Sequence, residues 1–192
     1  MSNAIVSGSL SSLSQQSGKS LAESFLSVDA IIIVDTSGSM GAHDAPAGKT
    51  RYEAALDELA ALQAQLPGRL GVISFSSRVE FCPGGIPIFL GESTDIAGAL
   101  QFARVADVPG MQFFLISDGE PNDEAAALSV ARTYQNKINT IYIGPETWPR
   151  GRDFLRQLAD ATGGRQYTAE LTKALGSTIR QAMLTVRLGG EG

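Results

Sequence analysis

Three short stretches of this chain carry side chains that could do chemistry: DTSGSM at residues 35–40, STD at 93–95 and SDGEPND at 117–123. The first follows the apolar run AIIIV and sets Asp35, Ser37 and Ser39 at alternate positions around Gly38. Together the stretches offer Asp35, Ser37, Ser39, Thr94 and Asp118, all oxygen donors, two of them charged and three neutral. Hydroxyl and carboxylate oxygens suit a hard divalent cation such as Mg²⁺, Mn²⁺ or Ca²⁺. With so few negative charges around it, the ion would stay electrophilic and take a further carboxylate from outside.

Catalytic readings of the same residues lack partners. An aspartyl phosphatase of the haloacid dehalogenase type needs a second acid two residues after the first, where this chain has Ser37. A serine hydrolase needs a base, and His43 is the only histidine, in the loop-like segment GAHDAPAGK, with no G-x-S-x-G elbow anywhere. His43 reads as a solvated loop residue or a rim contact to a ligand. The stretch LSQQSGKS resembles a phosphate-binding loop, but Leu13 stands where the first glycine belongs and no strand precedes it. A metal-dependent hydrolase or phosphotransfer protein would have to draw its base from Glu120 or Asp123. In a third reading the chain is a structural subunit of a larger assembly and an ion merely stabilises the loops. The plainest reading of DTSGS alone is a strand-to-helix turn in which Asp and Ser cap backbone N–H groups. Asp123 and Glu124 in turn favour the start of a helix through its dipole.

The elements that must position these residues follow from periodicity. Residues 29–34 form a continuous β-branched run, the mark of a strand covered on both faces. Thr50 and Glu53 have capping-box spacing, and Tyr52, Ala55, Leu56, Leu59, Leu62 and Leu66 follow at helical spacing until Pro67-Gly68. Residues 70–75 and 78–81 predict two strands joined by Ser76-Ser77, too short a link for a crossover, hence an antiparallel hairpin. A Pro/Gly-rich loop then leads to a helix over 95–105, a strand over 111–116, a helix over 123–135 and a strand at INTIYIG. A helix over 152–161 ending at Gly163-Gly164, an edge strand over 165–168 and a last helix over 171–186 complete the series. Trp148 is expected to pack on the helix that follows it. Strands alternating with helices predict right-handed crossovers and a doubly wound, mostly parallel sheet, three layers deep, with one short antiparallel edge strand. In such sheets ligands bind beyond the carboxyl ends of the strands, where the strand order reverses. DTSGSM and SDGEPND both follow predicted strands.

The bulk composition narrows the class. A chain of 192 residues, 43% hydrophobic and 18% charged, is globular and long enough for one domain. Its net charge of −5 supplies no basic field, which argues against nucleic acid as a partner. Single Cys and His residues rule out zinc sites built from Cys and His clusters. The lone Cys82 also excludes an internal disulfide. No apolar stretch approaches the ~20 residues that cross a bilayer, and the first residues lack a basic, then apolar, secretory pattern. These features together predict a cytoplasmic protein with no membrane partner. Residues 1–27 read as a Ser-rich tail, flexible or loosely docked over its first 19 residues, with a short helix started by Ser20 and Glu23. Residues 28–188 read as the domain and 189–192 as a flexible end.

Asp35-Thr36-Ser37-Gly38-Ser39 after a first strand, then Thr94 within GESTDIAGAL, then Asp118 within LISDGEPND, resembles a von Willebrand factor A (vWA) domain with a metal-ion-dependent adhesion site. The resemblance covers about residues 28–186. It implies that Ser37, Ser39 and Thr94 supply direct oxygen ligands, usually to Mg²⁺, while Asp35 and Asp118 bind directly or through waters. It further implies a vacant position that accepts a Glu or Asp from a partner protein, and no catalysis. Many relatives have Gly where this chain has Ser93, which makes Ser93 the substitute ligand; with His43 and Glu120 it forms the expected partner-binding rim. Stand-alone microbial members of the family work beside AAA+ ATPases or in multi-protein assemblies, which the resemblance extends to this chain as an expectation.

Overall fold

The computed structural model of the protein describes residues 5–145 and 147–168. In chain order it contains α1 (Leu10–Ser17), α2 (Leu21–Phe25), β1 (Ala30–Asp35), α3 (Arg51–Gln65), β2 (Leu70–Phe75), β3 (Val79–Phe81), α4 (Ile96–Ala103), β4 (Gln112–Ser117), α5 (Glu124–Ala131), β5 (Ile138–Tyr142), α6 (Pro149–Asp160) and β6 (Gln166–Thr168). The last predicted helix, over 171–186, lies outside the described residues, as does the C-terminal stretch 189–192.

The strands form one sheet in the order β3-β2-β1-β4-β5-β6. Every pairing is parallel except β2 with β3. Alternation along β1 explains the layering. Ile31 and Ile33 join Phe75, Phe113 and Leu115 in a core shared with Leu100 of α4, Ala127 of α5 and Leu155 of α6. Ala30, Ile32 and Val34 face the other way, with Val72, Phe114 and Ile116, against Ala55, Leu59 and Leu62 of α3. Each fully buried side chain of this kind stabilises the fold by about 1.5–3 kcal/mol relative to exposure. β1 is buried along its whole length because helices cover both its faces, as its unbroken apolar run requires. The fold is a three-layer, doubly wound α/β domain.

Local sequence sets most element ends. Thr50 accepts from the N–H of Glu53 and the Glu53 side chain returns to the N–H of Thr50, the reciprocal cap that starts α3. Ser20 and Glu23 do the same for α2. Gly163, at φ 69°, and Gly164, whose N–H reaches the carbonyl of Ala159, close α6.

Several expectations are corrected. The hairpin turn is longer by a residue, because Phe75 pairs with Val79 and leaves Arg78 in the loop. The helix expected over 123–135 stops at Ala131. Trp148 is 51% exposed, and what it contributes inward is its carbonyl, which accepts from the Tyr142 hydroxyl. The largest change concerns the Ser-rich start. Its residues 10–17 form α1, capped by Ser9, and Leu10 is 2% exposed. The N–H groups of Val6 and Ser11 donate to the carbonyls of Gly84 and Pro83, and Gly68 N–H donates to the carbonyl of Gly8. This segment shows little periodicity because α1 buries one apolar residue, Leu10, beside the small polar Ser12.

Candidate metal centre

The strand order reverses between β1 and β4: the chain proceeds from β1 to β2 and β3 on one side, then restarts at β4 on the other. Val34 pairs with Ile116, so Asp35 at the end of β1 and Asp118 just beyond β4 emerge side by side at the reversal. That is where open α/β sheets bind ligands, because diverging connections leave a crevice there.

Within the crevice Asp35 is fully buried and Asp118 is 1% exposed. Asp35 Oδ1 accepts from the N–H of Ser37 at 2.9 Å, and Oδ2 accepts from the Ser117 hydroxyl at 2.6 Å. Burial, and next the nearby Asp118 carboxylate, push the Asp35 carboxyl up to about 6, against the pull of the hydrogen bonds from Ser117 and Ser37. Ser37 Oγ and Ser39 Oγ lie 3.2 Å apart, which places the two hydroxyls of the alternation together. Thr36, between Asp35 and Ser37, turns elsewhere: its N–H and its hydroxyl both donate to the carbonyl of Phe75 on the neighbouring strand. Thr94 is 6% exposed, and its backbone is clipped to the loop after β4. Its N–H donates to Asn122 Oδ1 at 3.1 Å and its carbonyl accepts from Asn122 N–H at 2.9 Å.

The three rim candidates are not drawn into this cluster. Ser93 and Glu120 are exposed. His43 is exposed too, with Nδ1 3.5 Å from the carbonyl of Gly48 in its own loop. Nor is Gly38 needed for a close backbone approach, since a Cβ there would meet Glu92 O at an ordinary 3.5 Å. The tight passage lies elsewhere. Gly119 has φ 76°, and a Cβ on it would come within 2.2 Å of Gly151 O; one on Gly151 would come within 2.1 Å of Asp118 O. The turn carrying Asp118 thus rests directly on the first turn of α6.

Four participants escape a reading of the sequence. Ser117 orients Asp35, while its oxygen also accepts from Gly119 N–H at 2.9 Å. Asn122 ties the Thr94 loop to the Asp118 loop. Arg51 donates from Nη1 to Asp118 Oδ2 at 2.8 Å, and from Nε and Nη2 to both oxygens of Asp44 at 2.8 and 2.7 Å. Asp44 in turn is held below the usual carboxylate range by its hydrogen bonds to Arg51. Arg51 and Asp118 are 67 positions apart, so no spacing rule joins them. Ser117 could have been found as the hydroxyl adjoining Asp118 at the end of an apolar strand.

The donor set fits a hard divalent cation. Asp118 Oδ1 is buried and has no hydrogen-bond partner among the described residues; the buried Asp35 carboxylate is near enough to feel its charge and is itself bonded to Ser37, one of the hydroxyl pair. A cation would relieve both the orphaned oxygen and the crowding of like charges. Among the described residues no three His, Cys, Asp or Glu side chains gather as a metal site, so any ion here would depend on the hydroxyls as well as the two acids.

No protein-family model matches the sequence, and no curated protein does. Solved structures do match. An aerotolerance-related membrane protein from Bacteroides fragilis superposes with a TM-score of 0.68 at 18% identity, over 82% of this chain and 99% of that one. A von Willebrand factor type A protein from Catenulispora acidiphila matches with a TM-score of 0.58 at 19% identity, over 82% of this chain and 42% of that one. The manganese-loaded TRAP protein of Plasmodium vivax matches with a TM-score of 0.52 at 20% identity, over 69% of this chain and 62% of that one. At these identities the likeness concerns architecture: the protein has the vWA fold. Among the described residues no helix is long and apolar enough to cross a membrane.

Proposed function

We propose that this chain is a non-catalytic protein-interaction module organised around a divalent cation, Mg²⁺ in the first instance and Mn²⁺ or Ca²⁺ as alternatives. The observation that carries the reading is Asp118 Oδ1, buried and without a hydrogen-bond partner among the described residues, at the topological switch point that also carries Asp35 and the paired hydroxyls of Ser37 and Ser39. Ser37, Ser39 and Thr94 would hold the ion with neutral oxygens, and Asp35 and Asp118 directly or through water. When bound, the ion would offer an open position to a Glu or Asp of a partner protein. The chain's residues prepare that position in advance. Ser117 and the Ser37 N–H fix Asp35, Asn122 holds the Thr94 loop against the loop of Asp118, and Arg51 secures Asp118. Two carboxylates and three hydroxyls make five oxygen donors, one short of the six that an octahedral divalent ion takes, which would leave a position for an acidic ligand from outside. The manganese carried by the TRAP protein of the same fold is consistent with this reading. An AAA+ ATPase or another member of a multi-protein assembly is the kind of partner we expect, and cytoplasmic placement accords with the single buried cysteine.

The test is a calorimetric titration of Mn²⁺ into the wild type and a Ser37→Ala/Ser39→Ala variant, with a pull-down in Mg²⁺ and in EDTA. We expect the variant to lose at least about tenfold in affinity, or about 1.4 kcal/mol, and partner capture to disappear in EDTA. Equal Mn²⁺ affinity in the two proteins refutes the site, and capture that persists in EDTA refutes the bridging role.

A further inference from the structure

Arg51 occupies a place that helix physics alone does not explain. It is the first residue of α3, immediately after the Thr50 cap, where the helix dipole disfavours a cation and favours an acid. Its side chain is nonetheless only 12% exposed, and its guanidinium is held on two sides, by Asp44 at the surface and by Asp118 in the crevice. The Asp118 carboxylate is therefore divided: Oδ2 is taken by Arg51, and Oδ1 is buried with no hydrogen bond among the described residues.

On the reading of this cluster as a metal centre, we infer that Arg51 is a resident counter-cation that keeps the metal-free site folded and holds its metal affinity down. Without a cation, the Asp35 and Asp118 carboxylates lie buried near each other, and the guanidinium offsets that repulsion. Were a divalent ion held by Asp118 and the neighbouring oxygens, the same guanidinium would remain as a like charge on the other side of that carboxylate. Like charges at such separations, in surroundings less polar than water, interact strongly. Arg51 thus acts as a positioning residue for Asp118 and as a brake on occupancy: the site loads only where the free metal concentration is high enough. The outward pairing with Asp44 is part of the device, because it neutralises some of the guanidinium's charge from the solvent side.

Mn²⁺ alone serves as the probe, followed by calorimetry, with thermal unfolding measured in EDTA and in saturating Mn²⁺. Arg51→Gln should tighten Mn²⁺ binding by at least about tenfold, lower the melting temperature in EDTA, and widen the gap between the two melting temperatures. Arg51→Lys keeps the charge and should leave the affinity within about threefold of wild type. Asp44→Asn lies at the exposed end and removes the outer neutralisation; it should weaken Mn²⁺ binding by about threefold, which keeps the inference testable even where Arg51→Gln does not fold in EDTA. Unchanged or weaker binding by Arg51→Gln, or tighter binding by Asp44→Asn, overturns the role given to Arg51 and leaves the metal centre standing. Failure of all four proteins to bind Mn²⁺ at millimolar concentration overturns the metal centre and this inference together.

Discussion

Gly151→Ala isolates the packing that seats Asp118. Gly151 lies in the first turns of α6, where replacing glycine by alanine in an unconstrained helix would stabilise by about 1 kcal/mol. Here the added Cβ would stand 2.1 Å from Asp118 O, well inside van der Waals contact, and within 3.3 Å of the Gly119 carbonyl carbon. Both obstacles are backbone, so no side chain can rotate away; either α6 or the Asp118–Gly119 turn must move. Overpacking of this kind costs about 1–3 kcal/mol and at times more. Taking the upper part of that range and subtracting the helix gain leaves a net loss of about 2 kcal/mol. For a domain of this size the melting temperature should then fall by about 4–8 °C. Urea and thermal unfolding measure the loss, and Mn²⁺ titration should show weaker binding because the displaced turn carries Asp118. Arg150→Ala, one residue earlier on an exposed side chain, is the control and should change stability by no more than about 0.5 kcal/mol. A Gly151→Ala protein as stable as wild type, or more so, would refute the close approach of α6 to the Asp118 turn.

Ser117→Ala removes the hydroxyl that donates to Asp35 and accepts from Gly119 N–H; urea unfolding should show a loss of about 2–3 kcal/mol. Leu10→Ala should destabilise by about 3 kcal/mol and speed proteolysis of the N-terminal segment, since Leu10 is its buried anchor; an unchanged midpoint would show that α1 contributes nothing to the domain. Asp123→Ala deletes the side chain that accepts from Ala126 N–H at the start of α5 and should cost about 1 kcal/mol in thermal or chemical unfolding.

The amino-acid sequence by itself determined the architecture and the chemical type of the candidate site. The apolar run over residues 30–34, β-branched from Ile31 to Val34, could be satisfied only by a strand covered on both faces. The capping residues Ser20, Thr50 and Asp123 each mark the start of a helix that forms there. Alternation in DTSGSM separated Asp35, Ser37 and Ser39 from Thr36, and that separation is physical, since Thr36 bonds across to β2. These features are legible because they depend on near neighbours and on period. Tertiary structure decided which distant groups meet. It brought Arg51 to Asp118 across 67 positions and Ser117 to Asp35 across 82. It joined the Thr94 loop to Asn122, seated the Asp118 turn on Gly151, and drew Leu10 into the core while leaving His43, Ser93 and Glu120 outside the cluster. No local pattern encodes those meetings, because each depends on which strands lie side by side at the reversal point and on how closely two backbones approach.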